Sequence, residues 1–166
     1  MERVRAALAA GCCLAIVAAR ATLGGPAVED IRVMALNMYH EARGEGRRGM
    51  LAVGWVVLNR MADPAYPDTV AGVVYQGCQF SWVCDGRSDR PRDGRAWRRA
   101  LRLAKELLQS PTVDPTRGAL WYHATYVRRP NLGAPAVRVA KIGAHLFYAR
   151  AEATPVAEGT VVFASR

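Results

Sequence analysis

Acidic side chains are scarce in this chain of 166 residues: 14 Asp and Glu stand against 23 Lys and Arg, a formal charge of +9. A deficit of that size implies attraction to something anionic, whether nucleic acid, a membrane surface or an acidic polymer such as a bacterial wall. No recognition motif of a nucleic-acid fold accompanies the basic residues, and Arg98, Arg99 and Arg102 read as the solvated face of a helix; no nucleic-acid partner is expected. No apolar run reaches the ~20 residues that span a bilayer. Histidine is also sparse, with three in the chain. After His40-Glu41, the place of the second histidine of a helical zinc-protease motif is taken by Gly44, so that motif fails. His40, His123 and His145 could still converge on a metal, but scattered histidines are more often structural; the expectation is no metal and no cofactor. Repeats and low-complexity tracts are absent, and the length fits one domain with a core of its own.

The chain holds four cysteines, and two of them, Cys12 and Cys13, lie in the opening segment. Arg3 and Arg5 precede the apolar run Ala6 to Ala19, and Ala19-Arg20-Ala21 supplies small residues at the spacing of a cleavage site. Residues 1–21 therefore read as a secretory signal peptide. An uncleaved anchor and a lipoprotein site at Cys12 are the alternatives, the second with too little apolar sequence before it. Cleavage leaves Cys78 and Cys84, natural disulfide partners in an oxidising compartment. A loop that short contributes roughly 2.4 kcal/mol in the chain-entropy picture; the alternative is two free thiols. The expected product is an exported monomer of the periplasm or cell envelope without a stable membrane span. Residues 22–28 form a linker around Gly24-Gly25-Pro26, 29–150 the domain, and 151–166 a tail.

Ile31, Met34, Ala35, Met38 and Ala42 fall at helical spacing and predict a helix over 29–42. Glu29 and Asp30 occupy its first turn, where the helix dipole favours acids. Glu41 lies beside Met34 on the edge of the apolar stripe, and His40 points away from it. The Glu41 carboxyl should then be partly desolvated and its pKa raised. Gly44, Gly46 and Gly49 permit a turn. Met50 to Met61 is apolar almost all round and predicts a buried central helix, with Asn59 and Arg60 at its exit. Asp68 or Thr69 caps a short helix ending near Tyr75. Residues 76–86 interleave aromatics, amides and a hydroxyl between the two cysteines, as either a sugar-binding loop or a structural hairpin. A polar, basic loop runs from Arg87 to Arg95. Asp93 caps a helix with Trp97, Ala100, Leu101, Ala104, Leu107 and Leu108 on one face. Short β segments are expected over 119–123, 137–139 and 142–148, with a turn over 129–133.

Glu41 and Glu45, four residues apart, invite a two-carboxylate glycosidase reading. Such carboxylates must flank the scissile bond at roughly 5–9.5 Å. If both are helical they share one face of one element, so Glu45 is a poor second catalyst. It should pair with Arg43 or Arg47, or hold the turn. A one-glutamate mechanism fits better: lytic transglycosylation, in which one acid protonates the glycosidic oxygen and then, as base, lets the muramic 6-hydroxyl close a 1,6-anhydro ring.

Met38 to Gly46, the Gly49 to Arg60 segment, Tyr66 to Gln76, Cys78 to Trp82, Asp85-Gly86, Ala119 to Ala124 and Ile142 to Tyr148 together resemble the SleB-type spore cortex-lytic and cell-wall hydrolases. The resemblance covers about Ala35 to Arg150 with the motifs in order. It implies an α+β, mainly helical, lysozyme-like (lytic-transglycosylase-like) domain with a small β region, acting on peptidoglycan glycan strands. The family's catalytic glutamate falls on Glu41, with Glu45 in support. Substrate-groove roles fall on Gln76, Phe80, Ser81, Trp82, Tyr122 and His123. Many relatives have an aromatic where this chain has Asn131-Leu132-Gly133. With no separate wall-binding domain expected before the catalytic one, wall targeting is assigned to the groove and the positive charge. The alternatives are a hydrolytic muramidase, an N-acetylmuramoyl-L-alanine amidase, which needs a zinc site or an activated nucleophile, and a non-catalytic wall-binding module.

Overall fold

The computed structural model describes residues 25–128, 132 and 134–151. The expected signal peptide, the tail beyond 151 and most of the 129–133 turn lie outside the described residues. Four helices come first: α1 (Val28–Ala42), α2 (Gly46–Ala62), α3 (Val70–Val74) and α4 (Gly94–Gln109), with a 3₁₀ turn at Ser81–Val83 between the last two. Three strands follow, β1 (Trp121–Ala124), β2 (Ala136–Ile142) and β3 (His145–Arg150). They form one antiparallel sheet in the order β1-β3-β2. The mainly helical α+β class is thus as expected. Among the described residues no helix is long and apolar enough to cross a membrane.

The all-round apolarity of α2 has a simple cause: it packs on two sides. Met50, Val53 and Val57 join Met34 and Met38 of α1 and Leu103 and Leu107 of α4 in the main core. Ala52 and Val56 instead meet Ile142 and Phe147 of the sheet in a second, smaller cluster. Close approach of the three helices depends on Gly54, where an added methyl would overlap the side chains of Met38 and Leu107. The expected caps form at Thr69, whose Oγ1 accepts from Gly72 N at 3.1 Å, and at Asp93, whose Oδ1 accepts from Arg95 N and Ala96 N at 2.9 and 3.0 Å. Such caps satisfy amides that a helix start leaves orphaned.

One residue has an unexpected role, and two expectations need correction. Arg60 lies in the last turn of α2, as expected at the helix exit, but it is buried, at 4% exposed. Its Nε donates to Leu120 O at 2.7 Å, and its guanidinium lies 5.3 Å from the ring centres of both Tyr66 and Phe80. Stacking on aromatic faces is how a planar, weakly hydrated guanidinium is accommodated inside a protein. Residues 76–86 do not form a hairpin but the 3₁₀ turn, closed by a Cys78–Cys84 disulfide with Cα atoms 5.6 Å apart. The 142–148 segment is split: Ile142 ends β2, and Gly143, at φ 56°, opens the turn into β3. That left-handed conformation carries no steric cost for glycine, which has no Cβ.

Candidate active site

The last turn of α1 faces β1. Tyr122, set in β1 opposite Phe147 of β3, donates its hydroxyl to Glu41 Oε2 at 2.9 Å. Burial pushes the Glu41 carboxyl above its ordinary value of 4.5, against the smaller opposing effects of the Tyr122 hydrogen bond and of His40. Burial, and then the negative charge of Glu41, push the Tyr122 phenol well above its ordinary range. Tyr122 therefore stays protonated and acts as a donor throughout the neutral range.

These two residues sit in a groove of about 880 Å³, which is also lined by Ser81, Trp82, His123 and His145. Trp82 is 5% exposed. Its Nε1 donates to the buried Asn37 Oδ1 at 3.0 Å, and its ring stacks on His40 at 4.8 Å. It offers the groove little more than an edge. His123 donates from Nδ1 to Ala124 O at 2.8 Å, which leaves Nε2 to accept the Tyr148 hydroxyl at 2.9 Å. Both ring nitrogens are occupied, so His123 is held as part of the wall.

Two residues expected to face substrate do not line the groove. Phe80 is 2% exposed, with its ring 6.5 Å from that of Tyr122; its apolar surface is used in the core. Gln76 lies off the groove, with its Oε1 buried and without a hydrogen-bond partner among the described residues. Spacing alone could not separate these positions from Ser81 and Trp82, because a compact 3₁₀ loop has no simple alternation of inner and outer residues.

Glu45 also lies outside the groove lining. Arg47 is paired with Glu106 instead, and the Arg43 guanidinium lies 5.5 Å from the ring centre of Tyr39. Glu45 holds a turn, but one distant in sequence: its Oε2 accepts from Ala144 N at 2.9 Å in the β2–β3 connection. A side chain at Gly143 would overlap the Glu45 carboxylate. The residue after Ala144, His145, stands edge-on to Tyr122 at 5.3 Å. Burial foremost lowers the His145 pKa, although the nearby Glu45 charge works the other way. His145 is therefore neutral at pH 7.

The sequence had offered His145 only as one of three unpromising metal ligands, and it had given no groove role to Tyr39, Arg43 or Tyr126, all of which line the groove. Tyr39 Oη accepts from the backbone N–H groups of Arg92 and Asp93 at 3.0 and 2.9 Å. His40 Nε2 donates to Asp89 O at 3.1 Å. Position within the Met38–Gly46 motif was the one available signal for these contacts. Among the described residues no three His, Cys, Asp or Glu side chains are grouped to hold a metal.

The profile of the Cell Wall Hydrolase family matches residues 44–148. A spore cortex-lytic enzyme of Halalkalibacterium halodurans is 35% identical over 118 residues, which are 71% of this chain and 34% of that protein. The catalytic domain of the Bacillus cereus SleB protein superposes with a TM-score of 0.60 at 31% identity, over 76% of this chain and 94% of the domain. The catalytic domain of the germination-specific lytic transglycosylase SleB from Bacillus anthracis gives 0.58 at 31% identity, over 76% and 98%. The chain spans only 34% to 45% of the length of the spore cortex-lytic enzymes it matches. The profile match begins just beyond Glu41, so the case for that residue rests on its surroundings.

Proposed function

From the premise that this chain belongs to the cell wall hydrolase family, we propose that it cleaves the MurNAc–GlcNAc β-1,4 bond of peptidoglycan as a lytic transglycosylase. Glu41 acts first as general acid and then as base. The observation that carries the proposal is the environment of that one carboxyl: half-buried, raised in pKa, and hydrogen-bonded through a single oxygen by Tyr122. A raised pKa keeps the proton needed by the glycosidic oxygen at near-neutral pH. The Tyr122 bond fixes Oε2 and leaves Oε1 to face the sugar. Once the proton has left, Tyr122 stabilises the carboxylate, which removes the proton of the muramic 6-hydroxyl as that oxygen closes on C1. The glycosidic bond breaks, a 1,6-anhydro ring forms, and no water is consumed.

A single-acid mechanism agrees with the other groove carboxylates. Asp93 is exposed and committed to capping α4. Asp85 is exposed and accepts from Arg87 N at 2.9 Å. Residues 29–150 form the catalytic domain, exported by the leading segment and working as a monomer in the periplasm or cell envelope. Ser81, Trp82, Tyr122 and His123 contact the glycan, while Gln76 and Phe80 support the wall behind them and Glu45 supports the β2–β3 turn.

The test is digestion of purified sacculi by the wild type and by Glu41→Gln, with products identified by mass. Anhydro-muropeptides from the wild type and none from the variant are expected. Products one water heavier, with no anhydro sugar, would replace the transglycosylase by a muramidase.

A further inference from the structure

Four arginines, Arg43, Arg87, Arg90 and Arg92, line the groove, and all are exposed. The ion pairs among the described residues are Arg32–Glu29, Arg47–Glu106 and Arg150–Asp63, and none includes a groove arginine. The carboxylates that share the lining do not neutralise them. Asp85 accepts from Arg87 N in its own loop, Asp93 caps the first turn of α4, and Glu41 is bound by Tyr122. The arginines are also well placed relative to the chemistry. The loop bearing three of them is tied at Arg92 and Asp93 N–H to Tyr39 Oη, and at Asp89 O to His40 Nε2. Those two anchors are the residues immediately before Glu41. The arginine loop and the acid are thus held in one register on the last turn of α1.

A neutral disaccharide gives such arginines no anion to bind. The nearest anions to a muramic glycosidic bond are the free carboxylates of the peptide attached to its lactyl group. Guanidinium groups suit carboxylates because two parallel N–H donors match two oxygens. We infer that Arg87, Arg90 and Arg92, with Arg43, bind the stem-peptide carboxylates of muramic acid, making strands with free stem carboxylates the preferred substrate and strands with amidated stems poor ones. This specificity rests on the glycan-cleaving reading above. Because the arginines are exposed, the preference weakens as ionic strength rises.

The test measures one ratio within each protein: the rate on intact sacculi over the rate on the same sacculi with their stem carboxylates converted to amides. For the wild type a ratio of roughly ten is expected, the combined effect of several individually weak, exposed charge pairs. For the Arg87→Gln/Arg90→Gln/Arg92→Gln variant it should fall toward one. The wild-type ratio needs no variant, so it stands even if the triple substitution impairs folding. A wild-type ratio near one overturns the inference and leaves the glycan-cleaving reading intact. No cleavage of either substrate would instead count against that reading itself.

Discussion

Replacing Glu41 with Gln should abolish turnover and, at neutral pH, make the protein more stable. Burial raises the carboxyl above 4.5, so the folded state binds the proton more tightly than the unfolded chain does. Below pH 4.5 both states are protonated and the side chain carries no ionic penalty. As pH climbs past that value the unfolded chain ionises first, and stability is lost until the folded pKa is also passed. Above it the deficit is constant. Gln keeps a carbonyl oxygen for the Tyr122 hydroxyl, 2.9 Å away in the wild type, and removes the charge. Each unit of pKa displacement corresponds to about 1.4 kcal/mol. One kcal/mol moves the melting temperature of a domain this size by about 4 °C. Glu41→Gln should therefore melt several degrees above the wild type at pH 7.5 and close to it at pH 4, followed by circular dichroism. Equal gains at both pH values, or none at pH 7.5, would refute the claim that a desolvated carboxylate sits at position 41.

Three further outcomes are expected. Tyr122→Phe removes the bond that opposes the rise in the Glu41 pKa, so the alkaline limb of the pH–rate profile, where the general acid loses its proton, should move upward; loss of orientation should lower kcat by roughly 10- to 100-fold. Glu45→Ala should lower stability by about 1–2 kcal/mol, the contribution of one charge-assisted bond to the β2–β3 turn, while leaving measurable activity; a well-folded but inactive Glu45→Ala protein would show that the residue takes part in the chemistry. Cys78→Ser with Cys84→Ser should cost about 2 kcal/mol in denaturant unfolding. It should also raise KM more than it lowers kcat, because the clipped loop presents Ser81 and Trp82 to the groove.

The helices were legible because each is decided by local chemistry. A periodic apolar stripe set α1 and α4, Asp68 or Thr69 and Asp93 announced the caps of α3 and α4, and the absence of a polar face marked α2 as central. Glu41 at the edge of the α1 stripe was readable for the same reason, since a helix fixes the direction of every side chain it carries. The two remaining cysteines, six residues apart, were close enough in sequence to announce their own bond. Local order could not say where distant segments meet. Arg60 was rightly placed at the helix exit, but its burial was not legible, because nothing nearby in sequence shows that Tyr66, Phe80 and the Leu120 carbonyl would surround it.

The motif around Glu41 and Glu45 divides along this line. Sequence by itself determined that Glu41 should be a desolvated carboxyl on a rigid element and that Glu45 could not face it across a substrate. Only the tertiary structure decided that Tyr122, 81 residues away, holds Glu41, and that Glu45 fastens a turn 99 residues away. Helical periodicity dictates which way a side chain points, whereas its partner depends on how the elements pack. For these two glutamates the partners are supplied by a sheet formed at the other end of the chain.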